Sequence, residues 1–378
     1  MKWFFRNALI FMVMGLSISA QDTNQSAKKG KDPVPQNALE SILGAFDNHK
    51  LVALAEAHRM QEEHNFILAL IQHPVFPTKV NDIVIEFGNA LYQDILDRYV
   101  AGDNVPLNEL RQVWRNTGFS PFAPWDAPVY ERFFVSVRAV NQKLPAAQKL
   151  RVLAGDPPVN WNKSKEEIAA VKEQYPRDKH FASVVMKEVL TKNRKALLLI
   201  GGNHIYRHSW NPYSSAQIES VIEILDQRYP KATFVVFVHA YETRNALLES
   251  RLSVWQKPSF SLLKQTWLGD LATDDLMSQT VSRGFPDGKT VTIKINSYPG
   301  MKLEDLADAY LYLGDLESLT ASHPTPDMYR ADPDYLRELQ RRFELMSGGR
   351  KFPVESLLQE RKSNKYYLAP VVSPPPPR

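Results

Sequence analysis

The stretch LVALAEAHRMQEEH (51–64) begins as an unbroken apolar run. It ends in a burst of ionisable side chains: Glu56, His58, Glu62, Glu63 and His64. A segment apolar at every position, rather than every second one, suits a strand buried on both faces, the setting of a parallel sheet. Helical spacing follows over residues 61–72. The same motif recurs in DIVIEF (82–87), LRVLAG (150–155), ALLLIGG (196–202) and TFVVFVHA (233–240), with helical segments near 90–100, 107–116, 128–143, 179–193 and 215–229. This alternation predicts an α/β fold: a mostly parallel central sheet with helices on both faces, joined by right-handed crossovers.

The domain spans about residues 38–316, with a helical insert between the second and third strands. KTVTIKI (289–295) alternates like an edge strand, and LEDLADAYLYLG (303–314) reads as a helix leading into a last strand. A C-terminal extension (317–378) holds a charged helix near 334–346 and an extended tail ending in PPPPR, whose prolines favour an open polyproline conformation.

Residues 1–20, MKWFFRNALIFMVMGLSISA, place Lys2 and Arg6 before an apolar block and small residues up to Ala20. That is the pattern of a secretory signal peptide, followed by a polar linker over 21–37. The expected location is therefore exported, in a bacterial periplasm or secreted, with membrane association only through the envelope. The chain has no cysteine, so neither disulfides nor a lipid-modified cysteine is available. Loss of Lys2 and Arg6 with the leader lowers the net charge from +4 to +2. With no basic stripe among aromatics, nucleic acid is not an expected partner.

In sheets of this kind ligands bind beyond the carboxyl ends of the strands. The runs end, in order, at Glu56 and His58, at Glu86, at Asp156, at Asn203 and His204, and at His239. Five strands thus deliver polar chemistry to one rim. On a strand, Glu56 and His58 would share a face, and His64 would return to the same pocket from the next helix. His239 reads as a core histidine and His180 as a residue of a polar helix. In GGNHIYRHSW (201–210) the two glycines permit a tight turn that leaves His204 at the rim.

These residues resemble a superfamily that joins ChaN-like haem-binding proteins, erythromycin-esterase-like hydrolases and TIKI/TraB proteins. The ChaN-like pattern is Gly-Glu-x-His with a second His about six residues on; here it is Ala55-Glu56-Ala57-His58 and His64, with alanine in the glycine position. Gly201-Gly202-Asn203-His204 matches the second Gly-x-x-His element of the TIKI branch, used there for a metal. The erythromycin esterases carry a Glu/His pair in the corresponding first loop, spaced one residue wider. Glu86 is similar to the strand-two acid of the group, and DAYLYLG (308–314) to its late Asp-Ala-hydrophobic segment.

Three functions follow as expectations. The first is hydrolysis of an ester or amide bond in a small-molecule or peptide substrate, with Glu56, His58, Glu86 and His204 catalytic. It proceeds either with a divalent metal (Mn, Co or Zn) on His58, His204, Glu56 and Asp156, or without metal through His58 as base. No Gly-x-Ser-x-Gly elbow is present. The second, implied by the ChaN resemblance, is haem handling in the envelope, with His64, Tyr206 and His208 as cofactor-binding candidates; the aromatic segment 119–134 is either a lid over an apolar substrate or a helical cap packed on the sheet. The third is a binding protein that keeps the fold without the chemistry. Oligomeric state is not legible.

Overall fold

The computed structural model describes residues 30–120, 125–209, 217–240, 246–277, 279–284, 290–295, 298–352, 354–361 and 363–366. The expected signal peptide (1–20), residues 21–29 of the expected linker and the proline-rich tail lie outside the described residues.

Among the described residues there are ten strands: β1 (Gln36–Asn37), β2 (Leu51–Glu56), β3 (Asp82–Asn89), β4 (Arg151–Asp156), β5 (Ala196–Gly201), β6 (Thr233–Val238), β7 (Ser259–Leu262), β8 (Gln279–Gly284), β9 (Thr290–Ile295) and β10 (Ala309–Tyr312). Eight form one sheet in the order β1-β7-β10-β6-β2-β5-β3-β4. From β10 to β4 every neighbouring pair is parallel, while β7 and β1 add antiparallel pairs at one edge. Each of the five expected strands is there. The fold is α/β, as the continuous apolar runs require. β2, β3 and β5 are buried along their whole length.

Two elements differ from expectation. KTVTIKI does not edge the main sheet; Thr290–Ile295 pairs with β8 in a separate two-stranded ribbon. Alternation marks a strand with one solvated face, and a ribbon satisfies that as well as a sheet edge. The strand beside β10 is instead the four-residue β7, too short to carry a readable period.

The order of the strands creates the site. The chain steps from β2 out to β3 and β4, returns to insert β5 between β2 and β3, then crosses to β6 on the far side of β2. That reversal makes a topological switch point, the crevice at which such sheets bind ligands, at the carboxyl ends of β2, β5 and β3. At the opposite rim Asp82 is buried between Arg151 and Arg194, each guanidinium 2.7 Å away, a structural ion cluster remote from the crevice.

The insert packs as aromatic layers. Phe87 on β3 meets Tyr130, Phe133 and Phe134 of the helix Pro128–Asn141. Trp114 stacks on Phe134 at 5.1 Å. The helix Pro333–Ser347 then clamps this layer. Its buried Arg342 reaches the Arg115 carbonyl, Asn116 Oδ1 and Ser120 Oγ. Buried Asp126 accepts from the Tyr329 and Tyr335 hydroxyls at 3.0 and 2.9 Å. The charged helix expected near 334–346 is thus an integral wall of the insert.

Candidate active site

β2 ends at Glu56, level with Gly201 of the adjacent β5. His58 is not on the strand. A turn closes from the Met60 amide to the Ala57 carbonyl at 2.9 Å, with Arg59 in the left-handed region at φ 69°. This folds His58 back so that Nδ1 donates to Glu56 Oε2 at 2.5 Å. The two residues meet through a turn, then, rather than through strand alternation. The other carboxylate oxygen of Glu56 accepts from His64 Nε2 at 2.9 Å and from the Tyr130 hydroxyl at 3.1 Å. His64 does return to the pocket from its helix, as its spacing predicts. Glu63 closes the loop, its Oε2 accepting from the Ala57 amide at 2.7 Å.

Glu56 is 2% exposed, whereas 41% of the His58 side chain is open to solvent. Burial alone would raise the Glu56 carboxyl, but the charge of His58 and hydrogen bonds from both histidines hold it well below the usual range. Burial works against protonated His58, yet the Glu56 carboxylate overrides it and, with Glu86, pushes the imidazole up to about 9. Solvent at the open face of the ring screens the pair and tempers that rise.

A second histidine–carboxylate pair stands opposite. His204 lies in the short helix Gly202–Ile205, and its Nδ1 donates to Asp178 Oδ1 at 2.5 Å. Glu86 lies between the pairs. Its Oε2 accepts from the Gly201 amide at 2.6 Å, and its Oε1 is 3.9 Å from His204 Nε2. A register irregularity in β3 between Ile85 and Asn89 accompanies this placement, as bulges commonly re-aim a side chain beside a site. The centre of the crevice is Gly201. A Cβ there would stand 3.2 Å from His58 Cε1, 3.3 Å from Glu86 Oε2 and 3.6 Å from His204 Cδ2. Three of the four predicted catalytic side chains thus converge on one glycine.

Arg177, half-buried, supplies a cation between two buried acids. It meets Glu86 Oε1 at 2.8 Å and Asp156 Oδ1 at 3.1 Å, beneath the rings of Phe119 and Trp125. Glu86 is held below the usual range: burial would raise it, but Arg177, His58, His204 and the Gly201 amide outweigh that. Asp156 is pushed up to about 6 by burial, against the pull of Arg177 and the Gly118 amide. Arg177 and Asp178 open the helix Arg177–Val185, which lies close on β4 because Gly155 leaves its surface bare for the Phe181 ring.

The predicted metal set divides. Donor atoms of Glu56, His58 and Glu86 lie within 4.8 Å of one another. His204 joins through Glu86, but Asp156 sits beyond Arg177. The haem candidates are placed separately: His64 is buried against Glu56, Tyr206 is buried and stacked on Phe237, and His208 is half-buried in the following turn. His239 is a core residue, fully enclosed with Tyr310 and Glu249. Arg177, Asp178 and Tyr130 were not singled out by sequence. Only the sequence PRD (176–178), an acid in the first turn after a helix-starting proline, hinted at the first two.

No protein-family model matches the chain, and no curated protein matches it in sequence. Among solved structures it is similar to a succinoglycan biosynthesis protein, with a TM-score of 0.52 at 11% identity over 75% of this chain and 94% of that one. The two share a fold. An erythromycin esterase in its open conformation gives 0.47 at 11% identity, over 72% and 92%. The haem-binding ChaN of Campylobacter jejuni gives 0.34 at 16% identity, over 54% and 86%. The first of these likenesses establishes the architecture alone.

Proposed function

We propose that this chain is an exported hydrolase that cleaves an ester or amide bond with water activated at His58. The observation that carries the reading is the 2.5 Å contact between Glu56 and a half-exposed His58, backed by His64 and Tyr130. Glu56 occupies Nδ1 and leaves Nε2 to act as the base, and its charge strengthens that base. With no cysteine and no serine elbow in the chain, water is the direct nucleophile. His204, fixed by Asp178 in the same manner, stands across Glu86 to protonate the leaving group. Glu56 and Asp178 act as positioning residues. Arg177 pairs with both Glu86 and Asp156 and, with the two histidines beside Glu86, offsets their charge toward an electron-rich substrate.

A metal-assisted form of the same reaction is the second reading, favoured by the Glu56, His58 and Glu86 cluster. Those three residues would hold the ion, which would lower the pKa of a bound water. The fit requires Glu56 to give up a hydrogen bond to His58, and the ion to sit near the Arg177 guanidinium.

A panel of nitrophenyl esters and aryl amides, assayed with and without chelator, tests the proposal. Hydrolysis should fall at least about a hundredfold in His58→Ala, the usual worth of a general base. An inactive wild type, or a variant as fast as the wild type, would overturn it. Loss of rate on chelation, restored by manganese, cobalt or zinc, would select the metal form.

A further inference from the structure

Three segments from distant parts of the chain run side by side next to His58. Met60 bridges Ala321 in antiparallel fashion, and Thr320 bridges Lys365. The Ser322 amide donates to the Arg59 carbonyl, and the Ala321 amide to the Asn364 carbonyl, each at 2.7 Å. This weave brings together the segments that carry Arg59, His323 and Arg361, close enough that both guanidiniums act on the His323 ring, with Arg59 next to His58 in the chain. The C-terminal extension therefore brings two of its own basic side chains to the residue that directly follows the proposed base.

Two buried or half-buried acids of this neighbourhood are already committed. Glu62 accepts from the Thr320 amide and hydroxyl at 2.9 and 2.7 Å. Asp126 is enclosed by Tyr329, Tyr335 and Arg115. Among the described residues, neither Arg59 nor Arg361 has a carboxylate within 4.0 Å. His323 Nδ1 is buried with no hydrogen-bond partner among them. Burial and the two guanidiniums push this imidazole down to about 4, so the ring is neutral and can donate one N–H. Burial and Arg59 also lower Arg361. Two like charges and an unsatisfied ring nitrogen form an unfavourable grouping that a bound anion would relieve.

We propose that Arg59, His323 and Arg361 form a subsite for an oxyanion group, carboxylate or phosphate, carried by the substrate that is cleaved at His58. The assignment rests on the hydrolase reading for its link to turnover, but the subsite itself can be tested without it. Guanidinium pairs hold such groups through charge-assisted, often forked hydrogen bonds. Placed one residue from His58, the subsite would anchor the acidic end of a substrate with its scissile bond over the crevice.

Calorimetric titration of the full-length mature protein with inorganic phosphate, and separately with acetate, is the first arm. Saturable binding of at least one anion is expected, weakened about tenfold in Arg361→Gln and in Arg59→Gln. Arg361 is exposed, so its variant should fold normally, and Arg361→Lys should recover part of the affinity. Preference for phosphate or for acetate identifies the group. No binding of either anion, or equal binding by wild type and variants, would overturn the subsite. The second arm compares two nitrophenyl esters that differ only in a terminal carboxylate. Arg361→Gln should raise KM for the acidic ester about tenfold more than for the neutral one. Equal changes for both esters would remove the subsite and leave the hydrolase reading standing. If wild type cleaves neither ester, the hydrolase reading fails, and the titration alone decides the subsite.

Discussion

Glu56 and His58 are joined Oε2 to Nδ1 at 2.5 Å, with the acid buried and the histidine at the open edge of the crevice. The pairing sets a pH dependence. The folded chain binds the His58 proton more tightly than the unfolded chain, whose value is near 6.5. The stabilisation is therefore complete below pH 6.5 and is lost as pH rises through about 9. The gap in Tm between wild type and His58→Ala should narrow over that window, measured by thermal melts in matched buffers. A gap that widens with pH would contradict the pairing.

Glu56 also has a structural role, because His64 and Tyr130 spend their polar atoms on it. Glu56→Ala should cost about 3 kcal/mol in urea unfolding, since it strands buried partners. Glu56→Gln keeps a hydrogen-bonding group and should cost about 1 kcal/mol.

Arg177 separates two buried acids. Arg177→Met should destabilise by about 3 kcal/mol near neutral pH, because Glu86 and Asp156 then lose the cation between them. The loss should shrink at acidic pH, where the acids can be protonated. Chemical denaturation at two pH values reads the difference.

Two glycines fix the geometry. In Gly155→Ala the new methyl overlaps the Phe181 ring and must push the helix that carries Arg177 and Asp178. A destabilisation of about 2 kcal/mol is expected, together with a fall in hydrolysis. Gly201→Ala places its methyl against His58 and Glu86, so activity should fall more than stability. Kinetics beside unfolding curves on both variants would separate the effects.

Much of this was legible from residue order. Buried parallel strands need unbroken apolar runs, so five strands stood out, and their ends pointed to Glu56, His58, Glu86 and His204. The remainder was hidden for physical reasons. Asp178 and Arg177 start a helix in an unremarkable polar stretch, and only the contact of Gly155 with Phe181 brings them to the rim. The turn that folds His58 onto Glu56 depends on a left-handed Arg59, which no local propensity foretells. β7 is too short to show a period, and the pairing of residues 319–321 with 364–366 joins segments that lack strand character of their own.

The most direct test of the account is the pH dependence of kcat/KM for ester hydrolysis in wild type, His58→Ala and Glu56→Gln. Wild type should gain rate as pH rises toward about 9, where His58 yields its proton. In Glu56→Gln that limb should move toward the ordinary histidine value, and in His58→Ala it should vanish. Hydrolysis that persists in His58→Ala with the wild-type pH profile would show that His58 is not the base.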